Sequence, residues 1–135
     1  ANPIGNQTHF IAGDKDGNVF FDSDQSLIRY DIQTQKFSCL QKSNVYTVAS
    51  IKGTIWVGIA DSILTWNPDK NDFDFVTRLE NRNQRATCLL EDSGGRYWIG
   101  TTDGLFRMND DKSLTCMIMG EDIYDLYEDS KYPFA

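Results

Sequence analysis

Residues 91–110 read EDSGGRYWIGTTDGLFRMND, and shortened echoes of this stretch occur twice before it, with a beginning of it once after. With Gly95 as the reference, Trp98, Gly100 and Leu105 stand three, five and ten residues beyond it. The same offsets from Gly53 give Trp56, Gly58 and Ile63. From Gly17 they give Phe20, Asp22 and Leu27, and the match continues without a gap through 28–31, 64–67 and 106–109. Gly17, Gly53 and Gly95 lie 36 and 42 residues apart, close to the roughly 40 to 45 residues of one propeller blade.

Within each copy, short strand-like runs alternate with turn residues. In the third, 86–90 is apolar and 91–95 is a turn rich in glycine. Residues 96–101 have the mixed pattern of a strand buried on both sides, and the Asp-Gly step in 102–104 signals a hairpin. Strands at 105–108 and 113–119 complete the set. The second copy predicts strands at 45–49, 54–58, 63–66 and 73–79, the first at 9–12, 18–21, 27–30 and 36–40. Residues 122–127 align with an opening strand rather than a helix. The predicted fold is all-β, with three four-stranded antiparallel blades at 8–40, 45–79 and 86–119 and a truncated start of a fourth at 122–135.

Packing favours a propeller over a sandwich or barrel with similarly spaced turns. A small twisted sheet with apolar residues on both faces is stable only between neighbours that cover it. Phe20, Trp56 and Trp98 are the large groups expected in those layers, while Gly58 and Gly100 are expected to let the adjacent backbone approach.

The 135 residues are 40% hydrophobic and 13% aromatic, with 3 prolines and no apolar run near the ~18 to 20 residues that span a bilayer. A net charge of −7 without clustered Lys and Arg argues against contact with nucleic acid. The chain has no initiator Met and no leader-like start, and its fourth copy stops before a Trp-x-Gly segment. It therefore reads as a fragment, whose open blade faces and strand edges predict self-association.

The pattern EDSxGxxWIGTxxGLxRxN resembles the repeat of the two-component regulator propeller family. The third copy carries it almost throughout. The second keeps Gly53, Ile55, Trp56, Gly58 and Ile63 but has residues 49–52 where the family prefers an acidic turn. The first keeps Asp14, Gly17, Asn18 and Leu27 but has Phe20 for tryptophan and Asp22 for the second glycine, which puts its turn chemistry in question. The resemblance implies a periplasmic sensor region of a hybrid two-component protein, of the kind by which gut Bacteroidetes detect breakdown products of complex glycans. It also implies a parent anchored in the inner membrane and bearing histidine kinase, receiver and DNA-binding parts, with an oligosaccharide ligand and neighbouring blades as partners. No cofactor is implied.

Candidate chemistry competes with plainer structural roles. His9 is the single histidine, so a metal or relay pair of histidines is not available, and a packed or edge position is expected. Asp14, Asp16 and Asn18 miss the EF-hand spacing and fit a self-bonded turn. Glu91 and Asp92, echoed by Glu128 and Asp129, suggest a glycosidase pair, but a catalytic pair is needed once whereas a turn-capping aspartate is needed in each blade. The spacing also approaches the Asp-box of sialidase propellers, which sets its aspartate two rather than three residues before the glycine. Asn81, Arg82, Asn83 and Arg85, in the long connection between the second and third blades, form the candidate ligand or partner surface, against the alternative of a solvated loop.

Cys39 and Cys116 on outer strands and Cys88 on an inner one are expected to be three buried thiols, and pairing Cys88 with Cys116 would have to cross most of a blade, beyond disulfide reach. The competing function classes are an extracytoplasmic sensor fragment, a propeller scaffold for protein contacts, and a piece of a propeller hydrolase or lyase.

Overall fold

The computed structural model describes residues 9–40, 42, 44–81 and 83–128. Among these residues, twelve strands form three four-stranded antiparallel sheets, each contiguous in sequence and joined in simple up-and-down order. The first contains β1 (Ile11–Gly13), β2 (Asn18–Ser23), β3 (Ser26–Asp31) and β4 (Lys36–Cys39). The second contains β5 (Val45–Ile51), β6 (Thr54–Ile59), β7 (Ser62–Asn67) and β8 (Asp72–Arg78). The third contains β9 (Ala86–Glu91), β10 (Tyr97–Thr101), β11 (Gly104–Met108) and β12 (Leu114–Met119). The innermost strands β1, β5 and β9 lie side by side, so the sheets stack as blades.

Local sequence explains the hairpins. Lys52 and Gly53, with φ of 51° and 81°, join Ile51 to Thr54 in a two-residue turn whose left-handed backbone suits a twisted antiparallel pair. Asp24 and Gln25, at 50° and 67°, do the same between Ser23 and Ser26. Between β10 and β11 the Thr101 hydroxyl donates to the Gly104 carbonyl at 2.9 Å and accepts the Asp103 N–H at 3.0 Å.

The core consists of two layers between blades. The first gathers Phe20 and Leu27 with Val45, Val48, Ile55, Val57 and Trp66. Phe20 is fully buried, its ring centroid 5.1 Å from that of Trp66. The second gathers Trp56, Ile63 and Leu79 with Ala86, Ile99 and Met108, and Trp56 stacks on Tyr97 at 4.8 Å. Each blade covers its neighbour's apolar face, which is why these sheets are stable as a stack.

Polar contacts reinforce the stack. Glu91 in the third blade meets Lys52, in the first hairpin of the second blade, at 2.6 Å. Glu128 likewise reaches back one blade, accepting the Ser93 N–H at 3.0 Å. Glu91 and Glu128 thus each engage the turn of the preceding blade.

Four expectations are corrected. Residues 121–128 contain no strand, because no following strand among the described residues pairs with them, and 129–135 lie outside those residues. The segment is nevertheless docked, with the Ile123 N–H donating to the Thr101 carbonyl at 3.0 Å and the Ile123 carbonyl accepting from the Thr87 hydroxyl. β1 starts at Ile11 rather than His9, since the N–H groups of His9 and Phe10 donate to the Asp22 carboxylate instead of entering a ladder. Cys39 and Cys116 are exposed, because the outermost strands β4 and β12 have no strand beyond them; Cys88 on β9 is half-buried, and all three are free thiols. Finally, side chains rather than backbone crowd Gly58 and Gly100: a Cβ at Gly58 would lie 2.9 Å from Thr47 Cγ2 and 3.0 Å from Ala86 Cβ, and one at Gly100 would strike Cys88 Sγ and Ile123.

Candidate functional site

The repeat's polar centre is Asp92, which sits between β9 and β10 with its carboxylate fully enclosed. Its Oδ1 accepts the backbone N–H groups of Gly94 at 2.9 Å and Arg96 at 3.0 Å. Its Oδ2 accepts the Arg96 Nε–H at 3.0 Å and the Trp98 indole N–H at 2.8 Å. Burial pushes the carboxyl upward, but the Trp98 indole, the two backbone donors and the Arg96 charge outweigh it, leaving the pKa below the ordinary 3.8. The bonds are directed inward at the turn and its tryptophan, so this carboxylate does structural work.

The first blade has the same turn in a variant form. Asp14 Oδ1 accepts the N–H groups of Asp16 at 2.9 Å and Asn18 at 2.8 Å, and its Oδ2 accepts the Asn18 amide at 3.0 Å. The question over that blade's turn is thereby answered, and the second blade is the one that departs, closing on Lys52 and Gly53 without an aspartate. Among the described residues no group of His, Cys, Asp and Glu gathers as a metal-binding set.

The connection before β9 places Asn81 and Asn83 at the surface, while Arg82 lies outside the described residues. Asn81 Oδ1 accepts the Asn83 N–H at 2.9 Å, and the Gln84 side chain accepts the Asn81 N–H at 3.2 Å. Arg85 donates from Nη1 to the Gln84 carbonyl at 2.7 Å, and its guanidinium carbon lies 5.2 Å from the Tyr46 ring centroid. Two groups here escaped sequence reasoning. Buried Gln84 organises the connection, and Tyr46 brings the second blade's inner strand to Arg85. Neither belongs to the repeated motif, so only the fold reveals them.

His9 is half-exposed, with Nδ1 2.7 Å from Oδ2 of fully buried Asp22. Asp22 Oδ1 accepts the N–H groups of His9 at 2.8 Å and Phe10 at 2.7 Å. Burial raises this carboxyl's pKa, and these donors, the His9 side chain foremost, bring it net below 3.8. Ionised Asp22 can only accept, so it selects the His9 tautomer that carries its hydrogen on Nδ1.

Stacked four-stranded blades of this kind define a β-propeller, and the chain is a fragment of one. Residues 82–103 match the family described as two component regulator propeller. The extracellular domain of a one-component system, BT4673 from B. thetaiotaomicron, superposes with a TM-score of 0.74 at 18% identity, over 93% of this chain and 20% of that one. The extracellular domain of the hybrid two-component system BT3049 from the same organism gives 0.71 at 17%, over 92% and 19%. Virginiamycin B lyase from Staphylococcus aureus gives 0.65 at 16%, over 85% and 42%. The chain therefore spans about a fifth of these two extracellular domains, and at these identities the likeness is one of fold. No curated protein sequence matches it.

Proposed function

We propose that this chain is a segment of the extracytoplasmic sensing propeller of a hybrid two-component regulator that detects glycan breakdown products and controls polysaccharide-utilisation genes. The observation that supports this reading is the superposition on two extracellular domains of such systems over more than nine-tenths of the chain, joined to the family match at 82–103. In this reading the parent is anchored in the inner membrane, the propeller lies in the periplasm, and kinase chemistry resides elsewhere in the parent. The segment itself catalyses nothing. Its blades form a framework, and Asn81, Arg82, Asn83 and Arg85 offer donors to a ligand or a neighbouring domain.

A signal from such a framework is a difference in ligand affinity between two receptor states. The test is transcript profiling of the source organism and of a strain lacking the gene, each exposed to defined glycan oligosaccharides. Induction of polysaccharide-degradation genes in the first strain and its loss in the second is the expected result. Equal induction in both strains refutes the proposal.

A further inference from the structure

A cavity of about 220 Å³ opens at the seam between the first and second blades, where the innermost strands begin. Its lining combines Phe10 and Val45 with three polar residues, His9, Gln25 and Tyr46. The seam departs from the repeat. In the second and third blades the position five residues after the reference glycine is Gly58 or Gly100, and the space is taken by Thr47 and Ala86 at the former and by Cys88 and Ile123 at the latter. In the first blade the corresponding residue is Asp22, which turns its carboxylate to His9 and Phe10. Breaks in an otherwise consistent pattern concentrate where a protein has a task besides folding.

The polar groups around the cavity are held in place. Asp22 fixes the His9 tautomer and leaves Nε2 as an acceptor in the neutral ring. The Gln25 backbone is anchored by its carbonyl, which accepts the Val45 N–H at 3.1 Å across the seam. Arg85 braces the Tyr46 ring. Asp22 is buried, with both oxygens occupied by His9 and Phe10, so it offers no charge to a ligand. Apolar walls beside an imidazole, an amide and a phenol suit a ligand with C–H faces and a rim of hydroxyls that both donate and accept. The volume lies below the roughly 300 Å³ at which drug-sized ligands begin, which limits the occupant to about one ring.

We propose that this cavity binds a single neutral saccharide ring, a monosaccharide or the end of a chain, between His9, Gln25 and Tyr46. The proposal rests on the glycan-sensing reading and adds the place and the ligand class. Occupancy would bridge two blades and so tie ligand to their relative position.

The test titrates the ¹⁵N-labelled 135-residue chain with D-glucose, D-galactose, D-mannose and N-acetyl-D-glucosamine, and separately with D-glucuronate and D-galacturonate. Amide shifts centred on Phe10, Gln25 and Tyr46 with at least one neutral sugar are expected. His9→Ala and Gln25→Gly should each weaken binding at least tenfold; Gln25→Gly removes the amide at a residue with φ of 67°, where glycine is favoured, so an unchanged Tm separates lost binding from lost folding. Shifts confined to Asn81, Asn83 and Arg85, or binding unaffected by both substitutions, overturn the cavity while leaving sugar sensing intact. A response to the acidic sugars alone overturns the neutral ligand. No shift with any sugar overturns both the cavity and the glycan ligand.

Discussion

The indole N–H of Trp98 donates to Asp92 Oδ2 at 2.8 Å, joining the first turn of the third blade to its largest aromatic side chain. The same carboxylate holds two backbone N–H groups and Arg96, so four donors depend on it. Asp92→Ala leaves buried donors unpaired and should cost about 3 kcal/mol, whereas Trp98→Phe, which removes one donor and some packing, should cost about 1 to 2 kcal/mol. Because the residues share a bond, the double variant should lose less than the sum. Urea denaturation of the four proteins measures this, and strict additivity would show that the bond carries no coupling.

Asp92 and Asp22 both have folded-state pKa values below the ordinary 3.8. A lowered value means that the folded state binds its proton less readily than the unfolded chain does. Their contribution is therefore complete above pH 3.8 and is lost as pH falls through the lowered values. Urea midpoints should hold from neutrality to about pH 5 and drop below pH 4. Asp92→Asn should flatten that drop, and an unaltered acid limb in the variant would refute the assignment.

Gly95 and Gly100 lie five residues apart and are required for different reasons. Gly95 has φ of 81° with open space where a Cβ would stand, so Gly95→Ala should cost about 1 kcal/mol through backbone strain alone. Gly100→Ala drives a methyl into Cys88 and Ile123 and should cost about 1 to 3 kcal/mol. Adding Cys88→Ala should recover part of the loss for Gly100→Ala and none for Gly95→Ala, as read from melting temperatures.

Thiol reactivity should divide two to one. Cys39 and Cys116 are exposed, whereas burial pushes the Cys88 thiol above its ordinary 9.0. Ellman's reagent at pH 8 should label two thiols rapidly and the third only on slow opening or in denaturant. Three equal rates would place Cys88 at the surface.

The 135-residue chain should also associate with itself. β12 is an edge strand exposing Met117, Ile118 and Met119, the last 79% accessible, and Ile11 and Phe75 are exposed on other blades. Light scattering should give a mass above one chain at micromolar concentration, falling toward the monomer with Ile118→Lys. A single-chain mass at all concentrations would remove the prediction.

The spacing of Gly17, Gly53 and Gly95 was enough to establish a repeated four-stranded unit, because turns and period-two alternation are local and each copy restates them. A repeat also implies stacking, since one such sheet cannot cover its own two faces. The sequence could not rank its own irregularities. Asp22 and Phe20 appeared as imperfections of one blade. Only the tertiary structure shows Phe20 filling a layer against Trp66, and Asp22 holding His9 beside a cavity to which Gln25 and Tyr46 contribute from a turn and from the next blade. Phe20 and Trp66 stand 46 positions apart in different blades, and no local pattern encodes a seam. The strand expected at 122–127 failed for the same physical reason, because a strand is completed by a partner and not by its own residues.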